Sequence, residues 1–414
     1  MPIDRVRSRK LLDEVGAEAL VLFQPENFTY ATGAVPGMAA MWRRGGPSIA
    51  VVPGGEEASI AVVIGDLHAQ AVRITSPHLD IREHPTWIDT VDLRGIPVEG
   101  RTTPEVVEAG YRKGGVTEPF PGRPATYDLS LVLDLLDDVF QERKLTRVAA
   151  DFEFLPVADF RQIQARLPRI EWIDGSEIVR KLRSVKSIAE IDLLTQGARL
   201  AESGVRSLVA GVRQGQNRAD LIHLWRKGIE EKVNTGNHPL FTGNWDVISV
   251  GDDPWAVTGN VVPGALIKVD TGCLFSGYSS DSARTFSFGS PSGLARDIHS
   301  ALLDAFLAGL AQIRPGNLLR DVYKATAQSV HRAGYGGFQR GHFGHGLGAS
   351  VGTEEWPFIS ADSEVVIEPG MVLAFETPFY AKGIGAINIE DQIVVTQDGV
   401  EILNTLPREL VVID

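Results

Sequence analysis

The chain has 414 residues, 43% apolar and 22% charged, with a formal net charge of −13 and a mean hydropathy of −0.01. That length exceeds what one hydrophobic core usually supports and predicts two domains, while the composition excludes disordered and collagen-like classes. The acidic balance argues against a nucleic-acid partner, which needs clustered Lys and Arg, and no apolar run approaches the ~20 residues of a membrane span.

The charged opening MPIDRVRSRK leads to no apolar stretch, so no secretory leader is expected and the protein reads as cytoplasmic. The single cysteine, Cys273, leaves no intrachain disulfide, fits a reducing compartment and reads as a small core side chain. A helix is predicted over Arg5–Val15, ended by Gly16, and ALVLF (19–23) reads as a buried strand. SIAVVPG and SIAVVIG follow as strands, and residues 90–125, rich in Gly, Pro and charge, as an excursion over the surface. A helix over Leu129–Gln141, a strand at RVAADFEF (147–154), a helix over Pro156–Arg166 and a strand at IEWID (170–174) complete an α/β domain over residues 1–185.

The second domain, 186–414, opens with Ser187 and Glu190 at capping-box spacing. Ile191, Leu194, Ala198, Ala201, Val205 and Leu208 then mark one face of a long helix. A helix over Asn217–Val233 and strands ALIKVD and SARTFSF follow. The order then repeats: a helix over Leu294–Ile313, another from Asn317 to near Gly334, and strands MVLAFETPFY (371–380) and INIEDQIVVT (387–396). This αα-ββ unit in tandem predicts an α+β domain with a pseudo-twofold axis.

Each half places two acids on its strands: Asp270 and Asp281, then Glu376 and Glu390. Asp270 and Asp281 are an odd number of residues apart and would face opposite sides of one strand, but a hairpin turn at Phe275-Ser276-Gly277-Tyr278 brings them onto adjacent strands. Acids inside apolar strands cost several kcal/mol each unless a cation compensates them. Between the strand pairs, QRGHFGHGLGAS (339–350) offers a Gly-rich backbone and two imidazoles, His342 and His345. Four carboxylates and one imidazole suffice for two divalent ions about 3.5–4 Å apart if two carboxylates bridge, an arrangement that activates a water and polarises a carbonyl.

KVDTG…GYSSDSART, GHGLG, EPGMVLAFETPFY and NIEDQIVVT, in that order, resemble the signatures of the Xaa-Pro peptidase, or prolidase/creatinase-like, M24 family. ENFTYATG (26–33) and VRKLRSVKSIAEID (179–192) are similar to its N-terminal-domain and junction motifs. The resemblance implies a pita-bread catalytic domain and a homodimer. It implies that Asp270 binds one metal terminally, that Asp281 and Glu390 bridge, and that His345 and Glu376 hold the second metal, Glu376 also taking a proton from the water. Oxygen-rich ligation with one imidazole suits Mn(II), with Co(II), Fe(II) or Zn(II) as alternatives.

Three positions depart from the family pattern. Gly352 stands where a second histidine usually follows the metal-binding one, SVGDDPWAVTGN carries Trp255 in place of a substrate-loop histidine, and Asn388 replaces an arginine before the last IED. His342 or His238 could restore a catalytic donor, Trp255 could line a substrate pocket, Asn388 keeps a place in the substrate-binding set, and Arg43 and Arg44 could bind a substrate carboxylate across the dimer. The resulting expectation is a dinuclear-metal hydrolase of short peptides or amides, most closely an Xaa-Pro dipeptidase or aminopeptidase. One alternative is a non-peptidase relative acting on a small amide, imine or sulfonium compound; the other is a non-catalytic binding scaffold. Retention of the ligands weakens the creatinase-like and scaffold alternatives, and Gly272, where the lyase branch uses an acid, weakens the lyase one.

Overall fold

A computed structural model describes residues 3–116, 122–350 and 354–414. The chain divides into two compact units, Met1–Val179 and Arg180–Asp414. The division falls inside a helix, Ser176–Ser184, a few residues before the boundary expected at 185.

In the first unit the elements run α1 (Arg5–Val15), β1 (Ala19–Leu22), α2 (Pro25–Thr32), α3 (Ala39–Trp42), β2 (Ser48–Pro53), β3 (Ala61–Gly65), α4 (Asp66–Thr75), β4 (Asp80–His84), α5 (Thr103–Lys113), α6 (Leu129–Glu142), β5 (Arg147–Ala150), α7 (Val157–Arg166) and β6 (Glu171–Asp174). The strands form one sheet in the order β4-β3-β2-β1-β5-β6, antiparallel at β1/β2 and β2/β3 and parallel elsewhere. Two expectations need correction. RVAADFEF leaves the sheet after Ala150, because the buried Asp151 carboxylate instead accepts from the Phe23 and Gln24 backbone N–H groups and from Asn27 Nδ2. Asn27 belongs to ENFTYATG, so that motif fixes the turn from β1 into α2. Burial lifts Asp151 to about 6 against those hydrogen bonds. The 90–125 stretch is also less irregular than its composition suggests. Helix α5 starts where the Glu105 carboxylate accepts from the Thr102 N–H and hydroxyl, with Pro104 in its first turn.

After α8 (Ser176–Ser184), the second unit continues with α9 (Ile188–Gly211), α10 (Arg218–Thr235), β7 (Phe241–Asp246), β8 (Ser249–Val250), β9 (Leu266–Phe275), β10 (Tyr278–Ser279), β11 (Ser282–Phe288), α11 (Gly293–Leu310) and α12 (Leu319–Arg332). Then come β12 (His342–Gly346), β13 (Glu355–Ser360), β14 (Val372–Glu376), β15 (Phe379–Ala381), β16 (Gly385–Ile387), β17 (Glu390–Val395), β18 (Val400–Ile402) and β19 (Val411–Ile413). The main sheet runs β10-β9-β11-β17-β14-β12-β13, with β7 and β8 on β9, β18 on β17 and β19 on β11. The capping box at Ser187 and Glu190 forms. Leu194, Ala198, Ala201, Val205 and Leu208 of α9 are buried in one core with Trp225 of α10 and Val269 of β9. The second helix pair builds its own core, with Phe306 of α11 and Val322 of α12 beside Phe375 of β14. Two αα-ββ halves thus share one sheet, the pita-bread arrangement.

The turn after β9 forms at Ser276 and Gly277, both at positive φ. MVLAFETPFY is two strands rather than one: Pro378 has no N–H to donate, and the Thr377 hydroxyl donates to Leu302 O. Among the described residues no helix is long and apolar enough to cross a membrane.

Candidate metal centre

Strand register assembles the acids. Asp270 of β9 pairs with Ala283 of β11, Ala283 with Glu390 of β17, and Glu390 with Glu376 of β14. Directly paired residues point to the same side of a sheet, so the three acids form one row across four strands. Asp281 lies two residues before Ala283 and joins that side, diagonal to Asp270 rather than opposite it. His345 of β12 pairs with Ala374, two residues before Glu376. The neighbours Val269 and Phe375 point the other way, into the cores under α9/α10 and α11/α12. A one-residue slip in any of these strands would bury an acid beneath a helix pair.

Glycine closes the arrangement. A Cβ on Gly344, whose φ is +130°, would sit 2.0 Å from Ala374 O, so only glycine lets β12 approach β14 this closely. The His345 Nδ1 lies 3.0 Å from Gly346 O. A carbonyl only accepts, so Nδ1 carries a proton and Nε2 is the ring nitrogen turned toward the acids, 3.6 Å from Asp281 Oδ2. Donor atoms of Asp281, His345 and Glu390, all buried, lie within 4.8 Å of one another. Burial, then the surrounding carboxylates, push Asp281 and Glu390 well above the usual carboxylate range. Burial raises Asp270 as well, with Lys268 opposing the rise. Asp281 Oδ1 is buried and has no hydrogen-bond partner among the described residues. A buried carboxylate oxygen beside an imidazole nitrogen and further buried acids is a donor set that suits divalent cations.

The structure places the remaining candidates unevenly. His342 is half-buried on β12, its ring 6.3 Å from that of His345, and burial lowers its pKa. His238 is not at the centre: its ring packs edge-on against Phe275, at the turn end of β9 and roughly 16 Å along the strand from Asp270. Trp255 is exposed and lies 4.7 Å from the Tyr380 ring, a partner that follows Glu376 by four residues. Asn388 is at the centre and fully buried, turned toward the carboxylates. Its Nδ2 donates to Glu376 Oε2 at 3.1 Å and lies 3.5 Å from Glu390 Oε2. Arg43 and Arg44 are already bound within their own unit, to Glu26 and Asp159, and offer no free guanidinium pair. Gly352 lies outside the described residues. At Gly272 a Cβ would meet Ser280 O at 2.0 Å and Trp245 Nε1 at 2.3 Å, which leaves no room for a side chain there. Cys273 is buried in the α9/α10 core, and burial pushes its thiol pKa up.

Two cations went unnoticed in the sequence. Lys268, two residues before Asp270 on the same side of β9, donates to Asp270 Oδ2 at 2.9 Å. Arg340 donates from Nε to His342 O at 2.6 Å and from Nη2 to Glu376 Oε1. Beneath the row, Arg284 donates to Glu390 O and to Asp391 Oδ1, and ties β11 to β17 at their one paired position. The strand period alone could have found Lys268; Arg340 has no such signal, because a loop delivers it.

Comparison with known proteins points to one family. Residues 192–397 match metallopeptidase family M24, and residues 111–185 match the creatinase/prolidase N-terminal domain. The chain is 25% identical over 417 residues to an uncharacterized peptidase of Bacillus subtilis, covering 98% of each. It is 25% identical over 282 residues to the Xaa-Pro dipeptidase of Pyrococcus furiosus, covering 66% of this chain and 78% of that one. The solved structure of an Xaa-Pro dipeptidase from Bacillus anthracis superposes with a TM-score of 0.76 at 21% identity, over 99% of both chains. With both family matches in chain order over a pita-bread fold, the chain belongs to metallopeptidase family M24, the metal-dependent peptide hydrolases.

Proposed function

We propose that this protein is a dinuclear-metal hydrolase that cleaves short peptides before proline, as an Xaa-Pro dipeptidase or aminopeptidase. The observation that carries the reading is the row Asp270, Glu390 and Glu376, in register across the sheet, with Asp281 and His345 on its side. These five side chains are the proposed ligands, Asp281 and Glu390 bridging. Two divalent ions, Mn(II) first and Co(II), Fe(II) or Zn(II) as alternatives, would supply Lewis acidity and an acidified water. Around them the chain's own groups divide the work. Glu376 would take a proton from the water, its carboxylate steered by Arg340 and Asn388. His342, beside His345, is the proposed donor to the reacting carbonyl. Trp255 and Tyr380 form an aromatic wall suited to a proline ring. A homodimer and a cytoplasmic location belong to the same reading, and sedimentation of the purified protein tests the first.

The test is metal-reconstituted protein assayed against Xaa-Pro dipeptides, longer Xaa-Pro peptides and a panel of small amides. Cleavage of the prolyl peptides supports the reading. Turnover of small amides alone would replace it with the non-peptidase alternative.

A further inference from the structure

Lys268 is 3% exposed, and its ammonium group lies 2.9 Å from Asp270 Oδ2 and 5.9 Å from the centre of the Tyr380 ring. At the opposite end Arg340 holds Glu376. The centre therefore contains four carboxylates and two fixed cations. The ligands whose donor atoms already converge, Asp281, His345 and Glu390, are the three that neither cation bridges. Buried charge is tolerated only when it is paired, and Lys268 supplies Asp270 with such a partner from its own strand.

We propose that Lys268 is an internal cation competing for Asp270, so that the two ions enter in order. The first binds at Asp281, His345 and Glu390, and the second binds only when the Lys268 ammonium leaves Asp270. This rests on the metal-binding reading above and adds to it a residue that sets the spacing between the two affinities. Like charges a few ångströms apart in a buried site repel strongly, so the ammonium and a second dication exclude one another from the same carboxylate.

The experiment titrates metal-stripped protein with Mn(II), without substrate. Equilibrium dialysis with elemental analysis counts the ions, and electron paramagnetic resonance separates a lone Mn(II) from a coupled pair. The wild type should fill one site and then a second at least ~100-fold weaker, with an uncoupled spectrum at one equivalent. Lys268→Met should narrow that gap by tenfold or more and show coupling at lower loading, whereas Lys268→Arg, which keeps the charge, should preserve the gap. Two sites of equal affinity in the wild type overturn the inference, whatever the variants do. So does an unchanged gap in a folded Lys268→Met protein. Ordered loading in a protein that cleaves no prolyl peptide supports this inference while overturning the substrate assignment, and equal sites in an active peptidase overturn this inference alone.

Discussion

Asp281 is buried among other acids, which with burial raise its pKa, and one of its oxygens has no partner among the described residues. Asp281→Ala should lose metal and activity together, with Mn(II) affinity down at least ~100-fold by dialysis; full metal content in that variant would contradict a bridging role. His342 poses a different question, because it stands beside the proposed ligands without joining them. His342→Ala should lower kcat about 100-fold with metal content unchanged, and an unaltered kcat would make the residue structural. The acids and His345 stand out in the sequence as candidates, since acids inside apolar strands are costly without a cation. The roles of Asn388, Arg340 and Lys268 do not, because what each does depends on which carboxylate it reaches, and only the packed sheet supplies that partner.

At the scale of the element, the approach of β12 to β14 depends on one backbone conformation. Gly344→Ala forces a side chain into the +130° φ region and against Ala374 O. It should destabilise the protein by about 3 kcal/mol or more in urea unfolding and weaken metal binding, because His345 is the next residue. Elements with strong local signals were legible: α1 with its glycine stop, α9 with its capping box and apolar face, and the Ser276-Gly277 turn. The misread stretches share a cause. β5 ends at Ala150 because Asp151 hydrogen-bonds to a segment 127 residues away, and α5 went unnoticed because its cap lies in a stretch dominated by Gly, Pro and charge. Local propensity cannot report a partner that distant in sequence.

At the scale of the molecule, the pseudo-twofold repeat sets two helix pairs against one sheet and leaves the acids on its other side. Such a centre carries uncompensated negative charge until cations bind, so metal and folded state should stabilise one another. Chelation should lower the thermal midpoint by roughly 5–10 °C, and Mn(II) should restore it; this corresponds to about 2.7 kcal/mol for an ion held at a hundred times its Kd. An unchanged midpoint after verified metal removal would mean that the acids are compensated from within. The sequence by itself determined the fold class and the tandem αα-ββ order and marked the acids and imidazole as candidates, because apolar periodicity, caps and turns act over a few residues. Only the tertiary structure decided that Asp281 sits diagonal to Asp270, that His238 lies away from the centre, and that two cations occupy its ends. Those facts depend on strand register and on side chains meeting across more than a hundred residues of chain, and no short-range pattern encodes them.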